Sequence, residues 1–384
     1  MKKIWPFSFY FLHYAAFSSL LPFIVLFYQE LKFTGPQIGL LTGIPPLLTL
    51  FATPLWTSIA DATNRHRLIM SLGVGVALVC MWMMQSITAF VVVFLLILVY
   101  NFFFSPVGAL ADSATIAMLG EDRAMYGRIR LGGTIGWGVV APLSGVMVDH
   151  YGLRAAFWGF CAFMLINLFV AQKVVHDSGP HTSQKNQGVR YFFTNRRWVL
   201  FLFSAFLGGL GSLSIAAYLF PYMAEMGSSK SIMGIASMVA TVTELPIFFF
   251  GNRLVNRFGA RGLFILSLVL MGIRSLLFAW ASTPLAILVL QVLGGTLFPA
   301  MWLAGVAYAD ENAPEGLKST AQGLFGAMSF GCGSAVGGFV GGLLLESIGG
   351  RGLFLVFGLA ILVGLGFVEL VKRILPAEEV PQAI

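Results

Sequence analysis

Asp112, Arg130 and Trp137 fall in "GALADSATIAMLGEDRAMYGRIRLGGTIGW" (Gly108 to Trp137), where charges interrupt otherwise apolar runs. Asp112 precedes Glu121 by nine residues, and Arg130 follows it by nine. If Gly120 to Arg123 form a tight turn between two helices, both side chains lie at equal depth. That depth is about 13 Å from the turn, at about 1.5 Å per residue. Trp137 is seven residues beyond Arg130, two turns deeper on nearly the same face. Together they offer a hydrogen-bond acceptor, a five-donor fork and a flat aromatic plate. Carboxylate and guanidinium suit vicinal hydroxyls, and an indole suits the C–H face of a ring. The plainer alternative is a structural ion pair, with Trp137 facing lipid or packing.

Further candidates are spread along the chain. Glu244 ("TELPIFFF") and Arg274 ("MGIRSLLFAW") are charges inside apolar runs, where an ionisable residue is costly and marks a pathway or site. Mutual neutralisation of the two is the alternative. His13 is a lone histidine in the first run, read either as a proton carrier or as a hydrogen-bonding core residue. Cys80, Cys161 and Cys332 have neither metal-ligand spacing nor a disulfide pattern. "GCGSAVGG" is not a dinucleotide loop, because Val336 stands at the last glycine position and no strand precedes it. Without a nucleophile–base pair, metal set or phosphate loop, an enzyme is not expected, and neither is a cofactor or a metal.

The elements that must carry these residues follow from composition. The 384 residues are 58% hydrophobic and 10% charged, with mean hydropathy +0.87. Soluble domains carry about 25% charged residues, so the expected class is an all-α membrane protein. Twelve apolar runs reach the length a spanning helix needs: roughly 7–29, 36–60, 68–86, 89–118, 124–148, 155–173, 198–224, 231–252, 261–281, 284–308, 319–345 and 352–371. They are too long for barrel strands. The first run continues to Tyr28, so it reads as a span and not as a cleaved leader.

The net charge of +7 does not imply nucleic acid, because of where the charge sits. With the N-terminus inside, Lys32, Arg154, Lys230 and Arg351 are outside and Arg274 lies within a span. The rest of the 23 Lys and Arg fall inside. That bias sets both termini in the cytoplasm.

One long hydrophilic stretch, His176 to Arg197, divides the chain into an N-terminal six-helix bundle (1–175), a linker (176–197) and a C-terminal six-helix bundle (198–384). The halves echo each other: "GVMVDHYGLRAAF" (Gly145 to Phe157) aligns with "GLLLESIGGRGLF" (Gly342 to Phe354). That alignment pairs Asp149 with Glu346 and Gly152 with Gly349 at one interval of 197 residues. "DATNRHR" (Asp61 to Arg67) similarly faces "NRFGAR" (Asn256 to Arg261). Parallel six-helix repeats related by a pseudo-two-fold axis along the membrane normal are a transporter plan with a midplane site.

"PLWTSIADATNRHR" resembles the loop 2–3 signature of the major facilitator superfamily. Asp61, Arg65 and Arg67 fit, while Thr57 and Asn64 stand where glycines are usual. In the second copy Arg257 and Arg261 fit, and Asn256 replaces the acid. The resemblance implies a gating loop that pins helix ends by charge and dipole contacts. "YGRIRLGGTIGW" resembles the fifth span of the oligosaccharide–proton symporters, the lactose permease group, and of phenylpropionate-permease-like transporters. The implied solute-binding residues are Asp112, Arg130 and Trp137, with Asp in place of the group's Glu. Glu244 and Arg274 match positions linking solute to proton. Span ten departs from the group, offering Gln291, Gly294 and Leu297 where a His and often a Glu stand. The usual proton carrier is therefore missing.

The expected function is secondary transport of a small polar organic solute, sugar-like, with proton symport, in a bacterial inner membrane and as a monomer. Alternatives are a proton-antiport exporter, suggested by Pro142 and Gly145 in "APLSG", and a non-transporting sensor on the same fold. Gly333, Gly337 and Gly341 are expected to let span eleven pack closely. Pro22, Pro45, Pro46, Pro54, Pro106 and Pro299 are expected to kink spans.

Overall fold

The computed structural model describes residues 3–174 and 189–374. Most of the expected linker, Ser183 included, lies outside the described residues, as do both chain ends. The described chain is helical throughout. The first half contains helix 1 (Ile4–Glu30), helix 2 (Gly35–Thr63), helix 3 (His66–Met84), helix 4 (Phe90–Arg123), helix 5 (Tyr126–Tyr151) and helix 6 (Arg154–Val174). A short helix, Val189–Thr194, leads into helix 7 (Arg196–Glu225). Helix 8 (Lys230–Phe258) bends by 63° between Ile247 and Phe249, just after Pro246. Helix 9 (Ala260–Trp280) and helix 10 (Pro284–Asn312) follow.

The last helical segment, Lys318–Ile374, has 57 residues. At about 1.5 Å per residue it would be about 85 Å long, nearly three times a hydrocarbon core of about 30 Å. It breaks at Gly349, with φ 69° and ψ 177°, into helix 11 (318–348) and helix 12 (350–374). Twelve crossings are thus present among the described residues.

The internal repeat is written in the backbone. Every described residue with positive φ has a counterpart in the other half: Lys32 with Gly227, Asn64 with Gly259, Gly120 with Gly316, and Gly152 with Gly349. Each marks a sharp turn at a helix end, where the left-handed region favours Gly and then Asn. Asn64, read from sequence as a departure from the loop signature, therefore keeps the conformation its glycine would give.

In lipid the hydrophobic effect does not drive helices together, so close backbone packing at small residues does. On helix 5, Gly132, Gly133 and Gly136 accept Phe7, Tyr14 and Phe11 of helix 1 where any Cβ would collide. Helix 11 has two such faces. Gly333, Gly337 and Gly341 receive helix 7 at Phe206, Leu210 and Tyr218, while Gly338 and Gly342 meet helix 2 at Thr42 and Gly39. Pro22 opens a 3₁₀ turn in helix 1 and Pro106 restarts helix 4 after Phe104, whereas Pro45, Pro46, Pro54 and Pro299 are carried within continuous helices.

The halves meet along two long seams, and Phe23 of helix 1 also packs on Phe220 of helix 7 at 5.0 Å. Helix 2 meets helix 11 from Gly35 to Leu50, and helix 5 meets helix 8 from Asp149 back to Trp137. Both seams start at the end of the molecule bearing the Gly152 and Gly349 turns. Towards the other end, which bears Asn64 and Gly259, the helices part. Leu47, Phe51 and Leu55 of helix 2 become exposed, as do Phe249 and Phe250 of helix 8.

Candidate functional site

Helix 4 ends at a 3₁₀ turn, Gly120–Met125, and the chain reverses directly into helix 5. This hairpin brings Asp112 and Arg130 together: Arg130 Nη1 donates to Asp112 Oδ1 at 3.2 Å. The Asp112 side chain is 37% exposed and that of Arg130 43%, so the pair is not sealed within the packed core. Helix 1 completes the group, held against helix 5 by the glycines above. Tyr10 donates its hydroxyl to Asp112 Oδ1 at 2.6 Å, a length typical of a hydroxyl on a carboxylate. Arg130 Nη2 donates to the Tyr14 hydroxyl at 3.0 Å. The guanidinium lies 5.4 Å from the Tyr10 ring centroid and 5.7 Å from that of Tyr14, within cation–π range. Tyr10 and Tyr14 escaped the sequence reading. Their signal was two polar-tipped rings at i and i+4 in an apolar helix, with His13 between them drawing the notice instead.

Trp137 points across the cleft and not at the pair: its Nε1 donates to Ser237 Oγ of helix 8 at 2.9 Å. That bond fixes the depth of Glu244. Trp137, Gly138, Ala141, Gly145 and Asp149 form the stripe of helix 5 that touches helix 8, and Arg130 continues it two turns below Trp137. Helix 8 answers with Lys230, Gly234, Ser237 and Thr241, and Glu244 continues that stripe two turns below Ser237. Seven residues at about 1.5 Å set both charges about 10 Å below the bonded pair. By this spacing Arg130 and Glu244 lie at about one depth on two neighbouring helices of opposite halves. The Glu244 carboxyl makes no hydrogen bond or ion pair with any described residue.

Arg274 does not pair with Glu244, which rules out the alternative of mutual neutralisation. Only 4% exposed, it donates from Nη2 to Gln291 Oε1 and from Nε to the Leu290 carbonyl at 3.2 Å. Its guanidinium also sits 4.7 Å from the Phe278 ring centroid. Two glycines of helix 10 explain the separation. A Cβ on Gly294 would strike the Arg274 guanidinium, and one on Gly295 would strike the backbone of helix 8 at Ala240 and Glu244. Helix 10 thus stands between the two charges. Leu297 is buried, 6% exposed.

His13 is 6% exposed and enclosed by rings: stacked on Phe9 and Phe104 at 5.5 and 5.6 Å, and 4.5 Å from Phe17. Its Nδ1 has no hydrogen-bond partner.

Asp61, Arg257 and Arg261 of the loop signature make contacts within their own halves. Asp61 Oδ1 meets His66 Nε2 at 2.9 Å, a partner the sequence reading did not single out beside Arg65 and Arg67. Arg65 occupies the N-cap position of helix 3. Arg261 pairs with Glu369 of helix 12 at 3.2 Å, and Arg257 lies over the Phe258 ring at 5.7 Å. No group of three or more metal-ligating side chains occurs among the described residues.

Two six-helix halves in contact at one end, with a bonded polar group between helices 1, 4 and 5, define a multi-pass membrane protein. The chain belongs to the MFS_1 like family, whose model matches residues 4–356. It is 29% identical over 369 residues to the maltose permease of Geobacillus stearothermophilus, covering 94% of this chain and 92% of that one. It is 27% identical over 373 residues to the multidrug resistance protein MdtG of Escherichia fergusonii, covering 92% and 90%. The crystal structure of the nucleoside transporter NupG superposes with a TM-score of 0.83 at 20% identity, covering 97% of this chain and 99% of that one, a likeness of fold. The chain is a secondary transporter of small solutes in a lipid bilayer.

Proposed function

We propose that the protein imports a sugar-like polar solute by alternating access, coupled to protons, as a monomer in a bacterial inner membrane. The observation that carries the reading is the bonded Asp112–Arg130–Tyr10–Tyr14 group, with Glu244 set at a similar depth on helix 8 by helical spacing from the Trp137–Ser237 bond. Hydroxyls of the solute exchange for the bonds within that group, and the ring face stacks on Trp137 or a tyrosine. The similarity to a maltose permease supports the solute class. Both termini are cytoplasmic by the distribution of Lys and Arg. The open end of the cleft, bearing Asn64 and Gly259, then faces the cytoplasm.

Coupling rests on Glu244. A carboxyl in the cleft wall with no cation held against it is able to load and release a proton as the halves move. Arg274, tied to Gln291, holds span ten to span nine, and the rings enclosing His13 support reading it as a core residue. Asp61, Arg65, Arg67, Arg257 and Arg261 form the cytoplasmic gating surface, engaged across the halves when the cleft closes on that side.

Proton-antiport export is the second reading, favoured by the similarity to MdtG and by Pro142 and Gly145. One experiment decides: a solute screen in proteoliposomes with an internal pH reporter. Uptake of a mono- or disaccharide with internal acidification supports the proposal. Dye or drug movement against a proton gradient, with no sugar uptake, refutes it.

A further inference from the structure

We propose that Asp149 and Glu346 form a reciprocal latch that sets how long the cleft stays closed at the end of the molecule bearing Gly152 and Gly349. The sequence pairs these two acids across the repeat, and the structure gives them the same task in opposite directions. Asp149, at the end of helix 5, reaches into the second half. It accepts from the backbone N–H groups of Lys230 and Ser231, both at 2.8 Å, and from the Ser231 hydroxyl at 2.5 Å. Glu346, near the end of helix 11, reaches into the first half and accepts from the Gly35 N–H at 2.8 Å. Lys230 and Gly35 are the first residues of helices 8 and 2.

A helix start leaves its first N–H groups without intrahelical partners and carries the positive end of the helix dipole. Here those donors are met by a carboxylate from the opposite half, beyond the local caps Ser229 and Thr34. Neither cap survives a movement that separates the halves at this end, because donor and acceptor ride on different bundles. Below each cap lies a seam of glycine contacts, Gly145 and Gly234 on one side, Gly39 and Gly342 on the other, whose shape fits only the closed arrangement. Asp149 and Glu346 are thus positioning residues of the transport cycle. Both carboxylates are exposed at the mouth, so water replaces the lost bonds on opening and the latch releases.

The proposal uses the transport reading only in that the halves move, and its test needs no solute. In a background with Cys80, Cys161 and Cys332 replaced by Ser, spin labels go on Gln29→Cys and Ser282→Cys. These positions are exposed at the latched end, one in each half. The expected result is one short distance for the parent. With Asp149→Ala and Glu346→Ala together, the ratio of separated to closed molecules rises about tenfold, as loss of two caps implies. Asp149→Asn with Glu346→Gln, which keeps an acceptor but removes the charge, falls between. An unchanged distribution in the folded double-alanine variant overturns the proposal, as does lower thermal stability with no change in distance. If the double variant does not fold, the two single alanine variants are read in the same way. Failure of those to fold assigns the acids to architecture and also ends the proposal.

Discussion

Replacing Gln291 by Leu removes the side-chain acceptor of a guanidinium that is 4% exposed, at nearly constant volume. Arg274 keeps the Leu290 carbonyl at 3.2 Å and the Phe278 ring at 4.7 Å, but its Nη2 loses its partner inside the bundle. A buried polar group left without a partner costs about 1–3 kcal/mol, and more when charged. Removing the partner of a buried ion costs about 3–5 kcal/mol. Because Gln291 is neutral and two contacts remain, the cost falls toward the lower range, about 2–3 kcal/mol. That is about a 30- to 150-fold shift in the unfolding equilibrium, at about 1.4 kcal/mol per tenfold. Denaturant-induced unfolding in mixed micelles, followed by far-UV circular dichroism, measures it. Gln291→Glu restores an acceptor of the same length and adds a counter-charge, so it is expected within about 1 kcal/mol of the parent. A Leu variant as stable as the parent, or a Glu variant as weak as Leu, refutes the assignment of Gln291 as the partner that holds Arg274.

Three other outcomes follow from the cleft. Arg130→Lys keeps the charge but lacks the fork that reaches Asp112 and Tyr14 together. Solute affinity in equilibrium binding should fall at least about tenfold, the worth of one charge-assisted hydrogen bond; parental affinity would remove Arg130 from the site. Glu244→Gln should abolish solute-driven proton uptake while leaving counterflow exchange, which needs no net proton movement, and persistent acidification would exclude Glu244 as the carrier. His13→Phe extends the ring cluster of Phe9, Phe17 and Phe104, so transport rate and its pH profile should stay within about threefold of the parent. A lost pH dependence would return His13 to the proton path.

Much of the architecture was legible because it depends on local chain properties. Twelve apolar runs, punctuated where Asn64, Gly152 and Gly259 take positive φ, are set by hydropathy and by which residues tolerate a left-handed backbone. The equal depth of Asp112 and Arg130 was also readable. A tight hairpin at Gly120–Met125 converts equal sequence distance into equal height.

What the sequence left open lies between residues far apart in the chain. Tyr10 on Asp112, Trp137 on Ser237, and the caps Asp149 on Ser231 and Glu346 on Gly35 join different helices. So does Arg274 on Gln291. Hydropathy does not reveal these partners, because in lipid an apolar face gives no preference for one neighbouring helix over another. Glycine contacts decide which helices approach, and only the assembled bundle decides which polar group meets which. Glu244 and Arg274 looked like partners by type. Helix 10, passing between them at Gly294 and Gly295, keeps them apart.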